Sequence, residues 1–460
     1  MRGRKLCIGA GLAALTLLLV GCTALPGGAR VVGNQGPGPL FRGLTQPLPS
    51  EREPSRRYIF HIHGMGLTDR TLFHSELYDL LRSRYANAEV KRDWETAGLD
   101  PPMRVRGELL DCDKPWTDHL NPKDSEARPC EFPTFGTYRV DRFWNPQGGQ
   151  EVWLYSYFWH RDLWRIQEPH LREDMKRHDG KPAFLNSALK RNILDGGLSD
   201  AASYVGPAGD LVKAGVSAVL CRMARDAAGL ETPTPRSLET CGDLPPPSDD
   251  VQFGFVSHSL GSRMLYDVLA PRAPRGQVEL ASMGAARQLL IQRADVVYMA
   301  ANQLPLLALG RVEVKRAPLP AGGGELAPAP DPGRDRCSSQ VSLLEARRRL
   351  RNPGCPPGGA GPEATPLGGE LQVVAFHDPD DILGYRAGDA APIGDTTGDG
   401  GVFIDVIHRN AAQIAWTLTL PNLAHDHELK RRETQDMILC GAKVAAKGRV
   451  EPYPCPRIRR

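Results

Sequence analysis

The chain has 460 residues, 41% hydrophobic and 24% charged, enough apolar material for one large domain with insertions or for two domains. Its formal charge of +3 falls to zero once Arg2, Arg4 and Lys5 are set aside, so nothing electrostatic speaks for nucleic-acid binding. Beyond the first 21 residues no apolar run reaches the roughly 20 residues that a membrane-crossing helix needs.

Residues 1–21 pair those three cations with a short apolar run from Leu6 to Gly21, the pattern of an export signal, and stand outside the fold. The run closes on Leu19-Val20-Gly21-Cys22, which resembles the lipobox of bacterial lipoproteins. That resemblance implies a diacylated Cys22 at the mature amino terminus and membrane attachment through its lipid. Thr23, where Asp would follow in inner-membrane lipoproteins, implies the outer membrane, facing the periplasm. Residues 22–56 are rich in Gly, Pro and Arg without periodicity and read as a flexible tether, leaving 57–460 as the folded domain.

Tyr58 to Gly66 (YIFHIHGMG) is a short apolar run ending in His-Gly, a strand feeding a loop. RTLFHSELYDLLRSRY, from Arg70, has the spacing of an amphipathic helix. Residues 100–150 mix Pro, Gly and charge and are expected to be an irregular insertion. EVWLYSYFWH (151–160) predicts an aromatic strand, either core or the lining of an apolar pocket. Residues 161–230 are mainly helical, interrupted at Gly196-Gly197 and Gly206, and fit either a lid or a packed insertion. Strands are predicted at 251–257, 294–302, 371–376 and 402–408, and a last helix near 433–444. Residues 317–368 are a Pro/Gly-rich insertion around a charged helical stretch. Asp395 to Gly401 is acidic and Gly-rich but lacks a closing carboxylate, so it reads as a turn rather than a calcium loop. Apolar strands alternating with helices predict an α/β fold with a mostly parallel central sheet flanked by helices.

The densest chemistry lies at VQFGFVSHSLGSRMLYDVL (251–269), where a β-branched run breaks at Ser259 and helical spacing resumes. A serine at a sharp strand-to-helix turn between small residues is a nucleophile elbow, usually G-x-S-x-G; here Ser257 replaces the first Gly. At this point the chain resembles the α/β-hydrolase superfamily, its serine esterases and lipases in particular. The resemblance implies that fold, an oxyanion hole, and an acid and a histidine later in the chain. Backbone N–H groups of Leu260 and of Met65, in the His-Gly loop, match the two oxyanion donors. Asp381, before Ile382-Leu383, matches the acid, with Asp380 and Asp378 as alternatives. Ala424-His425 matches the base, with His427 open as a second choice, while His408 reads as structural. His61, His63 and His258 lack the required place in chain order. An acyl-ester substrate follows, and neither metal nor cofactor is required. A binding or scaffolding protein built on a silenced hydrolase fold is the alternative.

Apart from Cys7 and Cys22, eight cysteines remain, at 112, 130, 221, 241, 337, 355, 440 and 455. An even number in an exported chain favours disulfides, and pairing in sequence order closes four short loops. No CxxC and no adjoining histidines mark a zinc site.

Overall fold

The structure is a computed structural model. It describes residues 28–32, 37–46, 55–66, 69–105, 130–146, 149–164, 166–167, 171, 197–230, 241, 244–245, 247–248, 250–270, 283–308, 347, 370–381, 383–384, 401–409, 425 and 429–455. In chain order the elements are β1 (Arg30–Val31), β2 (Gly38–Phe41), β3 (Arg56–Ile62), α1 (Arg70–Arg82), β4 (Asn87–Val105), β5 (Cys130–Trp144) and β6 (Glu151–Phe158). There follow α2 (Ser199–Val205), α3 (Ala208–Ala227), β7 (Val251–His258), α4 (Leu260–Leu269), α5 (Gly284–Arg293), β8 (Ala294–Ala300) and α6 (Leu304–Ala308). β9 (Leu371–His377), β10 (Gly401–Ile407), α7 (Arg432–Cys440), β11 (Ala442–Val444) and β12 (Val450–Pro452) complete the set.

Nine strands form one mixed sheet in the order β1-β10-β9-β8-β7-β3-β6-β5-β4. The six from β10 to β6 are parallel to one another, whereas β1, β5 and β4 join antiparallel. The sheet with flanking helices is α/β as expected, but it is a mixed sheet and not the mostly parallel one expected. Antiparallel character enters because β4 and β5 form a hairpin, which needs no crossover helix.

The central strands read as unbroken apolar runs because both faces are covered. Successive side chains of β3, β7, β8 and β9 alternate between two cores. Phe60, Phe255, Val297 and Val373 face the one built with α3, α4 and α5; Ile59, Val256, Tyr298 and Phe376 face the other, built with α1, α7 and residues 40–44. Helix α1 starts where the Asp69 carboxylate accepts the N–H groups of Thr71 (2.8 Å) and Leu72 (3.2 Å), and it buries Phe73, Leu77, Leu80 and Leu81 along one stripe.

The expectations for the amino-terminal segment and for residues 100–150 are overturned. In the segment taken as tether, the described residues 28–32 and 37–46 are built into the domain. β1 pairs with β10, β2 pairs with β11, and Ala29, Leu40, Phe41 and Leu44 are buried. Phe41 packs edge-on against Tyr298 and Phe376, each 6.1 Å away between ring centres. Residues 100–150 are not irregular: β4 and β5 pair across 11 register positions, broken by bulges, with 106–129 outside the described residues. Of the two readings of 161–230, helix α3 fits the packed one, being buried along most of its length in the first core. The last helix stops at Cys440, and 442–444 becomes strand β11.

Cys221–Cys241 and Cys440–Cys455 are disulfides, with Cα atoms 5.9 and 5.6 Å apart, two of the four sequential pairs. Cys112, Cys337 and Cys355 of the other two pairs, His427, Gly196, most of the 317–368 insertion and the Asp395 turn lie outside the described residues. Among the described residues no helix is long and apolar enough to cross a membrane.

The register levels the parallel strands at their carboxyl ends. Ile62 lies beside both Tyr157 and Ser257, His258 beside Ala300, Ala300 beside Phe376, and His377 beside Ile407. The loops after β3, β7 and β9 therefore leave one edge of the sheet together, where ligands bind in open α/β sheets. β1 meets β10 at this same edge, with Arg30 opposite Ile407.

Candidate active site

Ser259 links β7 to α4 with φ 54° and ψ −125°, a conformation that costs a non-glycine residue roughly 1–3 kcal/mol. Two features hold it there. Its N–H donates to Ala300 O of the neighbouring strand (2.8 Å), and its own carbonyl accepts the Ser262 N–H of the new helix (3.1 Å). The turn is tight enough to exclude side chains from both walls. A Cβ on Gly261 would collide with the His63 carbonyl, and one on Gly64 would overlap the Ser259 Cβ and come within 3.0 Å of Ser259 Oγ. The Ser257 departure is absorbed, since its hydroxyl lies 3.1 Å from Tyr298 O and 3.0 Å from Ser262 Oγ.

Ser259 Oγ lies 2.8 Å from His425 Nε2, and His425 Nδ1 lies 2.7 Å from Asp381 Oδ2. The carboxylate at Nδ1 fixes the proton on that nitrogen, so Nε2 presents a lone pair to the serine hydroxyl. Asp381 Oδ1 accepts the Leu383 N–H (2.9 Å), which leaves Oδ2 for the histidine. The alternative acids are used elsewhere. Asp378 Oδ1 accepts the Asp380 N–H (2.8 Å) and shapes the turn, while Asp380 faces Arg409 at 3.6 Å. His408 joins Glu433 (3.3 Å) and Thr434 (3.0 Å), tying the end of β10 to α7. The hydrogen bond from His408 holds the Glu433 carboxyl below its usual range.

Three further histidines pack beside the serine and its loop. His258 Nε2 lies 3.0 Å from the His425 carbonyl, so the residue before the serine steadies the backbone of the residue that bonds it. His61 is fully buried and stacked on Phe73 (4.2 Å), and burial holds its pKa well below the usual value. His63 is likewise kept neutral by burial. The Trp159 N–H donates to His63 Nε2 (3.3 Å), so Nδ1 carries the proton and donates to Gly64 O (2.6 Å). The Gly64 carbonyl and the Met65 N–H belong to one planar trans peptide and point opposite ways. Holding the carbonyl thus holds the direction of the Met65 N–H. The loop is gripped again at Gly66, whose N–H donates to Asp200 Oδ2 (2.8 Å).

Ser259, Leu260, Asp381, His425 and the Gly64–Met65 loop are therefore brought together, and Leu260 is the first residue of α4. Sequence reasoning passed over the roles of His63 and His258 and missed Asp200 altogether. The His-Gly pair was visible, but Asp200 reaches the loop from 134 residues away. Among the described residues no group of three or more His, Cys, Asp or Glu side chains is placed to hold a metal ion. The chain matches no family model, no curated protein and no solved structure with which it was compared.

Proposed function

We propose that this chain is a serine hydrolase with an α/β-hydrolase fold that cleaves carboxylic esters through an acyl-enzyme, exported and lipid-anchored at Cys22. The observation that carries the reading is the line Ser259 Oγ–His425 Nε2–Asp381, spanned by hydrogen bonds of 2.8 and 2.7 Å, at a serine with positive φ. The six adjacent parallel strands, and the chain order serine, acid, histidine, support the fold assignment.

In this mechanism Ser259 Oγ attacks the ester carbonyl while His425 Nε2 takes its proton. The same proton then goes to the departing alkoxide, and the acyl group stays on Ser259. Water, deprotonated by His425, attacks the acyl carbonyl, and Ser259 leaves with the proton restored. Asp381 keeps the ring in the productive tautomer and stabilises the imidazolium. The N–H groups of Leu260 and Met65 hold the developing oxyanion, each contributing about 3 kcal/mol to transition-state stabilisation.

Ser259 has no exposed surface and His425 is 8% exposed, so the test includes detergent to open the site. The protein without residues 1–22 is treated with a fluorophosphonate probe, and the adduct is mapped by mass spectrometry. Labelling at Ser259, absent in Ser259→Ala and His425→Ala, is the expected result. Asp381→Asn should lower kcat on a short-chain ester by about 10⁴-fold, the cost of the wrong tautomer. Asp378→Asn should stay near wild type, because an amide oxygen still accepts the Asp380 N–H. Folded wild type that stays silent with detergent would overturn the hydrolase reading in favour of a binding or scaffolding module.

A further inference from the structure

We infer that α2 is a clamp that sets the spacing of the two oxyanion donors, with Asp200 and Tyr204 as its positioning residues. The inference rests on the reading of Ser259 as the nucleophile.

Asp200 and Tyr204 are four residues apart, so they lie on one face of the helix, and both are buried. Each reaches a different wall of the site. Asp200 Oδ2 accepts the Gly66 N–H (2.8 Å), one residue beyond the Met65 donor. Tyr204 donates its hydroxyl proton to Asp267 Oδ2 (2.7 Å) on α4, the helix whose first residue is the Leu260 donor. Arg263 Nε also donates to Asp267 Oδ2 (3.0 Å), which holds that carboxylate to its own helix. One short helix thereby grips the loop after β3 with one side chain and the nucleophile's helix with the other.

The grip is referenced to the sheet. His160 Nδ1 (2.9 Å) and Gln167 Nε2 (3.0 Å), both just beyond β6, meet the Asp200 carboxylate. A fully buried carboxylate is costly unless its oxygens are used, and here three donors converge on it. A seven-residue helix has little stability of its own, so these contacts fix where it sits. Simple core filling would have put apolar side chains on this face. The polar contacts end instead on the two segments whose backbone N–H groups must converge on one oxygen, and misplacement of about 1 Å there costs on the order of 100-fold in rate.

The test compares Asp200→Asn and Tyr204→Phe with wild type, each protein counted by fluorophosphonate titration of its active sites. The clamp requires kcat per titrated site on a short-chain ester to fall by about 10-fold or more, with KM nearly unchanged. It also requires a trifluoromethyl ketone, which forms a tetrahedral oxyanion on the serine, to bind more weakly by the same factor. Amide exchange over residues 64–66 should quicken. Should Asp200→Asn fail to fold, Tyr204→Phe carries the test alone, since it removes one hydroxyl and keeps the ring packed. Folded variants with wild-type kcat per site and wild-type ketone affinity would overturn the clamp. Fewer titratable sites with normal kcat per site would do the same, because that is a loss of fold and not of positioning. Wild type that never takes the probe points elsewhere, to failure of the hydrolase reading.

Discussion

Ser259 is held in a strained backbone conformation by neighbours that leave no room for alternatives. Gly64 shows how little room there is. Gly64→Ala would drive a methyl group into the Ser259 Cβ and toward Oγ, so the loop or the serine must shift. The expected outcome is a stability loss of about 1–3 kcal/mol by urea denaturation, the usual cost of overpacking, with ester hydrolysis lost in the folded fraction. Near-normal turnover in Gly64→Ala would mean that the loop and the serine do not meet as described. At this scale the sequence was informative where chemistry is local. The break at Ser259, the small residues around it and the His-Gly pair are all visible in short strings. The ranking of Asp381 above Asp380 and Asp378 came from the family resemblance; the string alone does not show which carboxylate the turn itself consumes, and Asp378 is consumed by the Asp380 N–H. Asp200 left no local trace, since nothing near it in the chain shows that it faces Gly66.

Among the elements, the strands at 251, 294, 371 and 401 were legible because sheets covered on both faces make continuous apolar runs. The amino-terminal segment was not. Its apolar residues come in twos between Gly, Pro and Arg, and β2 has only four residues. What makes it structural is its partner, β11, some 400 residues later in the chain. The β4–β5 hairpin was hidden similarly, its strands interrupted by Pro, Gly and charged residues that the bulges accommodate. Phe41 offers a direct measurement. As part of a tether, Phe41→Ala would change nothing. As the fully buried ring between Tyr298 and Phe376, its removal should cost about 3–5 kcal/mol by chemical denaturation.

Across the whole molecule, buried titratable groups set how stability responds to pH. His61 and His63 are held well below the ordinary histidine range and His74 at about 4, chiefly by burial. The unfolded chain binds these protons below about pH 6.5 and the folded chain does not, so stability should fall as pH drops through that value. Asp141 and Asp226 work against this. Burial raises both to about 6, so the folded state takes up their protons first and gains stability as pH falls from about 6 toward 4. A urea midpoint measured from pH 8 downward should hold steady to about 6.5 and then decline less steeply than three histidines alone would dictate. His61→Phe isolates one contribution. Neither ring nitrogen has a hydrogen-bond partner among the described residues, and the ring is stacked on Phe73, so an apolar ring fits the site. Its acid limb should be shallower than wild type, and an unchanged limb would remove His61 from the account.

The place where β1 joins the sheet has a mechanical meaning once the proposed lipid is counted. Ala29 stands at the carboxyl edge, with Arg30 opposite Ile407. Seven peptide links separate it from Cys22. However those links run, they span at most about 25 Å. A lipid on Cys22 would therefore be a mooring line of at most about 25 Å, made fast at the carboxyl edge of the sheet. On the proposed function, an enzyme moored this closely would work on esters held in the bilayer or just above it and sweep little of the surrounding fluid. Lengthening the line with a Gly/Ser insert after residue 24 should leave hydrolysis of a water-soluble ester untouched and slow hydrolysis of one embedded in the same vesicles.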